Sequence, residues 1–188
     1  MATIEVTPQE FVMVTFDAGR IAELAGEVAD KVGLPADAVV KIDVDEQEPL
    51  GRTTVESLDP ITIKVEGGAF EDAKRPRQMS DRGIVDVLGR ILFRVKDRLD
   101  PAFGTPPEDA ELTLQQQTAW DAYAVGRADR AGLPTQQARR LYHFRNRHGF
   151  SDVADTVFAR LWAADSVTWA EIEAACAETA AAREAVAG

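Results

Sequence analysis

Cysteine is nearly absent: Cys176 is the only one in 188 residues. That excludes an internal disulfide and any zinc site built on several thiolates. Histidine is almost as scarce, with two copies, His143 and His148. Five residues apart on one helix turn through about 500°, which leaves the pair about 140° apart and unable to chelate one ion as an i, i+4 pair does. No apolar run approaches the ~20 residues that span a bilayer, so no membrane segment is predicted. The opening Met-Ala-Thr-Ile-Glu-Val lacks the basic and apolar regions of a signal peptide, and the expected compartment is the cytoplasm. Gly67-Gly68 is followed by no Lys-Ser or Lys-Thr, which argues against a phosphate loop, and the acidic run 43–48 lacks the glycine and terminal glutamate of a calcium-binding loop. No complete catalytic motif is present; neither a metal nor a cofactor is expected.

Acidic side chains number 32 against 21 basic, for a net charge of −11, but they are unevenly placed. Residues 1–73 carry −11, 74–98 carry +5, 99–126 carry −5, 127–148 carry +5 and 149–188 carry −5. A chain with this alternation either neutralises its basic islands with its own acidic segments or turns one island outward to an acidic partner. The internal arrangement is the expected one.

Periodicity gives the elements. Residues 3–6 suit a short edge strand. Thr7, Pro8 and Glu10 carry the signature of a helix start, and Phe11, Val14, Ala18, Ile21, Ala25, Val28 and Val32 repeat at helical spacing as far as Gly33. Strands are predicted at 39–44, 52–57 and 61–65, the last two joined by Leu58-Asp59-Pro60. Residues 71–79 read as a long polar connection. Ser80 caps the next helix, 81–99, whose apolar stripe includes Ile84, Leu88, Ile91 and Val95. Arg90, Arg94 and Arg98 lie at i, i+4 and i+8 and share a face of it. The run 100–107, rich in proline, is the predicted boundary between a domain at 1–104 and a helical region at 105–188. There, Thr113 with Gln116 and Thr168 with Glu171 form capping boxes, Ser151 opens a further helix, and the last helix is expected to fray past Glu178.

The densest chemistry is 139–150, where both histidines, four arginines and three aromatics fall together. Arg139, Arg140, Arg145 and Arg147 suit an anion, with Tyr142, His143 and His148 beside them. A histidine near a helix C-terminus also serves the helix dipole, and Tyr142 and Phe144 are large enough for a core. Helix, glycine turn, helix over 128–148 outlines a helix-turn-helix, but the acidic flanks oppose DNA and make nucleic acid the disfavoured partner. Cys176 falls on an apolar helical face and is expected to be an inert thiol.

The order helix, strand, strand, strand, helix over residues 8–99 resembles the minimal zincin-like metallopeptidase domain. In that family a strand similar to Ile61-Thr62-Ile63-Lys64-Val65 precedes the active-site helix, a place that 84–96 would take. The family's His-Glu-x-x-His is missing: Leu88-Gly89-Arg90-Ile91-Leu92-Phe93-Arg94-Val95 stands there. The resemblance implies a fold kept without metal or proteolysis.

The expectation is therefore an α+β protein with a small three- to four-stranded sheet, two long helices and an all-helical C-terminal region. Two functions suit it. One is a non-catalytic interaction or regulatory protein that meets a protein partner through the arginine row and the 139–148 stretch. The other is a small enzyme or ligand-binding domain holding a small anion with Arg90, Arg94 and one of Arg139, Arg140 or Arg145, with His143 or His148 as proton carrier.

Overall fold

The computed structural model describes all residues, Met1–Gly188. The architecture is α+β: a four-stranded mixed sheet, a two-stranded sheet, and six helices of which four follow one another at the C-terminal end. The chain divides into two compact units, Met1–Lys96 and Asp97–Gly188.

In the first unit β1 (Thr3–Thr7), β2 (Val39–Asp45), β3 (Thr53–Leu58) and β4 (Ile61–Glu66) form a sheet in the order β1-β2-β4-β3. β1, β2 and β4 are parallel, and β3 returns antiparallel at the edge. Alternation sets the register: Val40, Ile42 and Val44 lie opposite Ile61, Ile63 and Val65, and all six are buried. A one-residue slip would turn that whole set toward water. α1 (Ala18–Val32) joins β1 to β2 and buries Ile21, Leu24, Val28 and Val32. α2 (Asp81–Leu99) comes after the segment 67–80 that leaves β4, and the Ser80 hydroxyl caps it by accepting from the Gly83 N–H at 3.1 Å.

Two expectations are corrected here. The first long helix begins at Ala18, not after Thr7. Thr7 is the last residue of β1, in register with Asp43. The N–H groups that a helix over 8–17 would use are taken elsewhere. Val12 and Met13 donate to Glu46 Oε2 at 2.9 and 2.7 Å, and Thr15 donates to the Arg77 carbonyl at 2.7 Å. Asp17 supplies the real cap, accepting from Arg20 N at 3.0 Å. The polar connection 71–79 is itself structured, as a hairpin of β5 (Glu71–Asp72) and β6 (Arg75–Met79). Its turn is closed by the Asp72 carboxylate, which accepts from Lys74 N at 2.8 Å and pairs with Arg75.

The second unit holds α3 (Leu114–Arg130), α4 (Gln137–His148), α5 (Asp152–Ala163) and α6 (Trp169–Ala187), with α3 packed against the other three. Capping boxes at Thr113/Gln116 and Thr168/Glu171 and a serine cap at Ser151 start α3, α6 and α5 where the sequence places them. α6 continues past Glu178 to Ala187. The core is aromatic: Phe103 stacks on Trp120 at 5.3 Å, and Trp169 lies 5.4 Å from the same indole. Each fully buried side chain of this size contributes about 1.5–3 kcal/mol. Asp97, the first residue of this unit, is buried and carries matched donors. Arg127 grips it with two bonds of 2.7 Å, and Trp120 Nε1 adds a third of 2.7 Å. No helix of the protein is long and apolar enough to cross a membrane.

Candidate functional site

The structure sorts the sequence's candidates by which way they face. On α2, Arg90 and Arg94 are buried, with Arg94 only 1% exposed. Arg90 Nη2 donates to Thr53 Oγ1 at 3.0 Å. Arg98, next on the same face, is bound to the Asp109 carboxylate and the Pro107 carbonyl, both at 2.8 Å. The expected outward row of arginines is therefore an inward one. Asp86 and Asp97, on the same polar side of the helix, are buried with them.

α4 splits in two. Phe144 and His148, one turn apart, point into the core and stack at 3.9 Å with 11° between their planes. His148 is 1% exposed. Its Nε2 faces the Gln115 carbonyl at 3.0 Å, and a carbonyl only accepts, so Nε2 carries the proton. Nδ1 is then the acceptor toward the Thr179 hydroxyl at 2.7 Å. Burial lowers its pKa to about 4, and the nearby Arg183 charge pushes the same way. His148 is thus a neutral tie between α3, α4 and α6. A proton carrier at neutral pH needs a group that titrates there, which this one does not.

Arg145 is claimed by the chain itself. Its Nε and Nη2 bond both oxygens of Asp155 on α5, at 2.8 and 2.6 Å. The pair holds the Asp155 carboxyl below its ordinary pKa and raises the guanidinium. Arg145→Gln is expected to lower the melting temperature slightly, by an amount that shrinks in high salt, because half-exposed pairs are partly screened. The lowered Asp155 carboxyl contributes stability above the usual carboxylate pKa, lost as pH falls through its folded value. Melts of the native protein and the variant at two salt concentrations measure this, and identical curves would show the pair to be idle. Arg140, half-buried, is the other arginine of the stretch that does not project freely.

What remains outward on α4 is Arg139, Tyr142, His143 and Arg147, with Asn146 among them. Tyr142 is 58% exposed and Phe150, just beyond the helix, is 67% exposed. Their rings meet edge to face at 6.4 Å, and the His143 ring also lies 6.4 Å from the tyrosine, edge to face. Gly149 makes this possible. Its φ of +99° lies in the region that favours glycine, and an added Cβ would approach the Arg183 side chain at 3.1 Å. Arg183, from α6, donates to the Arg147 carbonyl at 3.0 Å, a cation at the negative end of the α4 dipole. The guanidinium groups of Arg139 and Arg147 meet no carboxylate of the chain, and that of Arg183 bonds only this carbonyl.

Phe150 and Arg183 are the members that sequence reasoning left out. Phe150 lay in the dense stretch but beyond the glycine, and no local signal tells which side of a turn a residue takes. Arg183 is 36 residues from Arg147 and is brought there by packing alone. Elsewhere, Cys176 is half-buried with its thiol pushed up to about 11 by burial, so it is a poor nucleophile. No group of three His, Cys, Asp or Glu side chains is close enough together to hold a metal ion. Comparison with protein-family models, curated proteins and solved structures finds no match for the chain.

Proposed function

We propose that the chain is a non-catalytic, cytoplasmic interaction protein whose contact surface is the outward face of α4. One observation carries this reading: two large exposed rings, Tyr142 and Phe150, meet at the end of a helix that also exposes Arg139 and Arg147 and holds Arg183 at its C-terminus, and no carboxylate of the chain pairs with these three arginines. Single exposed apolar residues are ordinary, but adjoining aromatics set among arginines have the composition of interface hot spots. The anion-site alternative is less well supported: Arg90 and Arg94 are buried, Arg145 is held by Asp155 and His148 is a buried neutral ring, which leaves Arg139, Arg140 and His143 to carry it. A helix-turn-helix use of α4 loses Arg145 in the same way. The resemblance to a zincin-like domain implies a scaffold retained without metal chemistry, and the interaction reading does not depend on it.

Selection of an unbiased peptide-display library on the full chain tests the surface. The expected binders compete with one another and are lost in the Tyr142→Ala/Phe150→Ala double variant, with its melting temperature unchanged. Both rings are exposed, and surface substitutions change stability by only about 0.5 kcal/mol. Binders indifferent to the double variant would place the contact surface elsewhere.

A further inference from the structure

We infer that the occupant of the α4 face is a short acidic segment of a separate protein, extended and carrying one aromatic or large aliphatic side chain; this rests on the reading of α4 as a contact surface. Charge complementarity is the first reason. Arg139 and Arg147 lie two turns apart, about 12 Å along the helix at 1.5 Å per residue, with His143 between them on that face and Tyr142 to one side, nearer Arg139. Arg183 extends the positive charge at the Arg147 end. Within the same helix, Arg145 already shows what such a guanidinium takes, the two oxygens of one carboxylate. In an extended segment, with about 3.3 Å per residue, carboxylates spaced roughly 12 Å apart are about four residues apart. An apolar side chain midway between them faces His143, with the Tyr142 ring to one side.

Size is the second reason. α4 has 12 residues, so its outward face is about 18 Å long and about 10 Å wide. That is roughly 200 Å², far below the ~800 Å² per partner of a stable dimer. A second copy docked by this face alone is too weakly held, whereas a peptide segment fits its length. Nucleic acid is the poorer match. Phosphate backbones are held by many exposed cations, and three are offered here by a chain of net charge −11.

The test uses the full chain and fluorescence anisotropy with a labelled synthetic peptide, one tryptophan flanked on each side by glutamates. Controls are the same peptide with glutamine for glutamate and an oligothymidylate of similar length. The glutamate peptide is expected to bind, with affinity lowered about tenfold or more by Arg139→Gln/Arg147→Gln and by Tyr142→Ala, a loss of about 1.4 kcal/mol. Melting temperatures of the variants should match the native protein. The glutamine peptide should bind about tenfold more weakly, and the oligothymidylate more weakly than the glutamate peptide. Tighter binding of the oligothymidylate, or a dimer in sedimentation that Tyr142→Ala dissolves, would overturn the inference. Failure of the glutamate peptide to bind would do the same. A glutamine peptide that binds as tightly and still needs Tyr142 would leave α4 a contact surface but remove the acidic partner. Binding indifferent to Tyr142 and to both arginines would remove both readings.

Discussion

Alanine at position 126 is expected to cost the second unit about 3 kcal/mol or more. A Cβ built on Gly126 falls 2.1 Å from the Trp162 carbonyl oxygen and 2.8 Å from its carbon, well inside any allowed contact. Backbone stands on both sides of this clash, so no side-chain rotation relieves it and α3 and α5 must part. The same carbonyl accepts a 2.5 Å bond from Arg130, one turn further along α3, while Arg130 Nη2 takes the Ala164 carbonyl at 2.6 Å. Parting the helices therefore strains the cap at the end of α5 as well. Overpacking usually costs about 1–3 kcal/mol and more where backbone must shift, and the better helix propensity of alanine offsets only about 1 kcal/mol. For a unit of this size, each kcal/mol moves the midpoint by roughly 4–8 °C. Urea and thermal melts of Gly126→Ala against the native chain measure it. An unchanged midpoint would mean that the two helices separate by an ångström without cost.

The second large effect is a loss of stability in mild acid that is traceable to one ring. His148 titrates near 4 in the folded protein and at 6.5 unperturbed. Because the folded value is the lower one, the unfolded chain takes up the proton first as pH falls. The stabilisation is fully present above pH 6.5, declines through the window from 6.5 to 4, and is gone below it. Over that range it amounts to roughly 3 kcal/mol, at 1.36 kcal/mol per pKa unit. His148→Gln removes the titrating group while keeping a donor and an acceptor. The difference between variant and native stability, followed by urea melts from pH 7 to 4.5, should narrow steadily from pH 6.5 downward. Carboxylates contribute to both proteins and cancel. A difference that stays constant across the window would mean that His148 binds its proton equally well folded and unfolded.

Most of the fold could be read from the chain because its signals are local. Ser80, Thr113, Ser151 and Thr168 cap the helices they precede in sequence, and alternation in 39–45 and 61–66 marks strands that bury one face. The start of α1 was not legible, since the acceptor that diverts Val12 and Met13 is Glu46, more than 30 residues on. The arginine row shows the other limit. Spacing at i, i+4 and i+8 establishes that Arg90, Arg94 and Arg98 share a face but is silent on whether that face meets water. The two histidines are the converse case. Their angular separation of about 140° excludes a shared metal ion, and only the packing makes His143 exposed and His148 buried.

The aromatic core of the second unit also fixes how the protein can be watched. All three tryptophans, Trp120, Trp162 and Trp169, and both tyrosines, Tyr123 and Tyr142, lie in Asp97–Gly188. The first unit carries only phenylalanine. Emission excited at the red edge of the near-ultraviolet therefore reports one unit and is blind to the other, whereas amide circular dichroism sees both. A melt that is a single step in emission and two steps in dichroism would resolve the units optically, with no label attached.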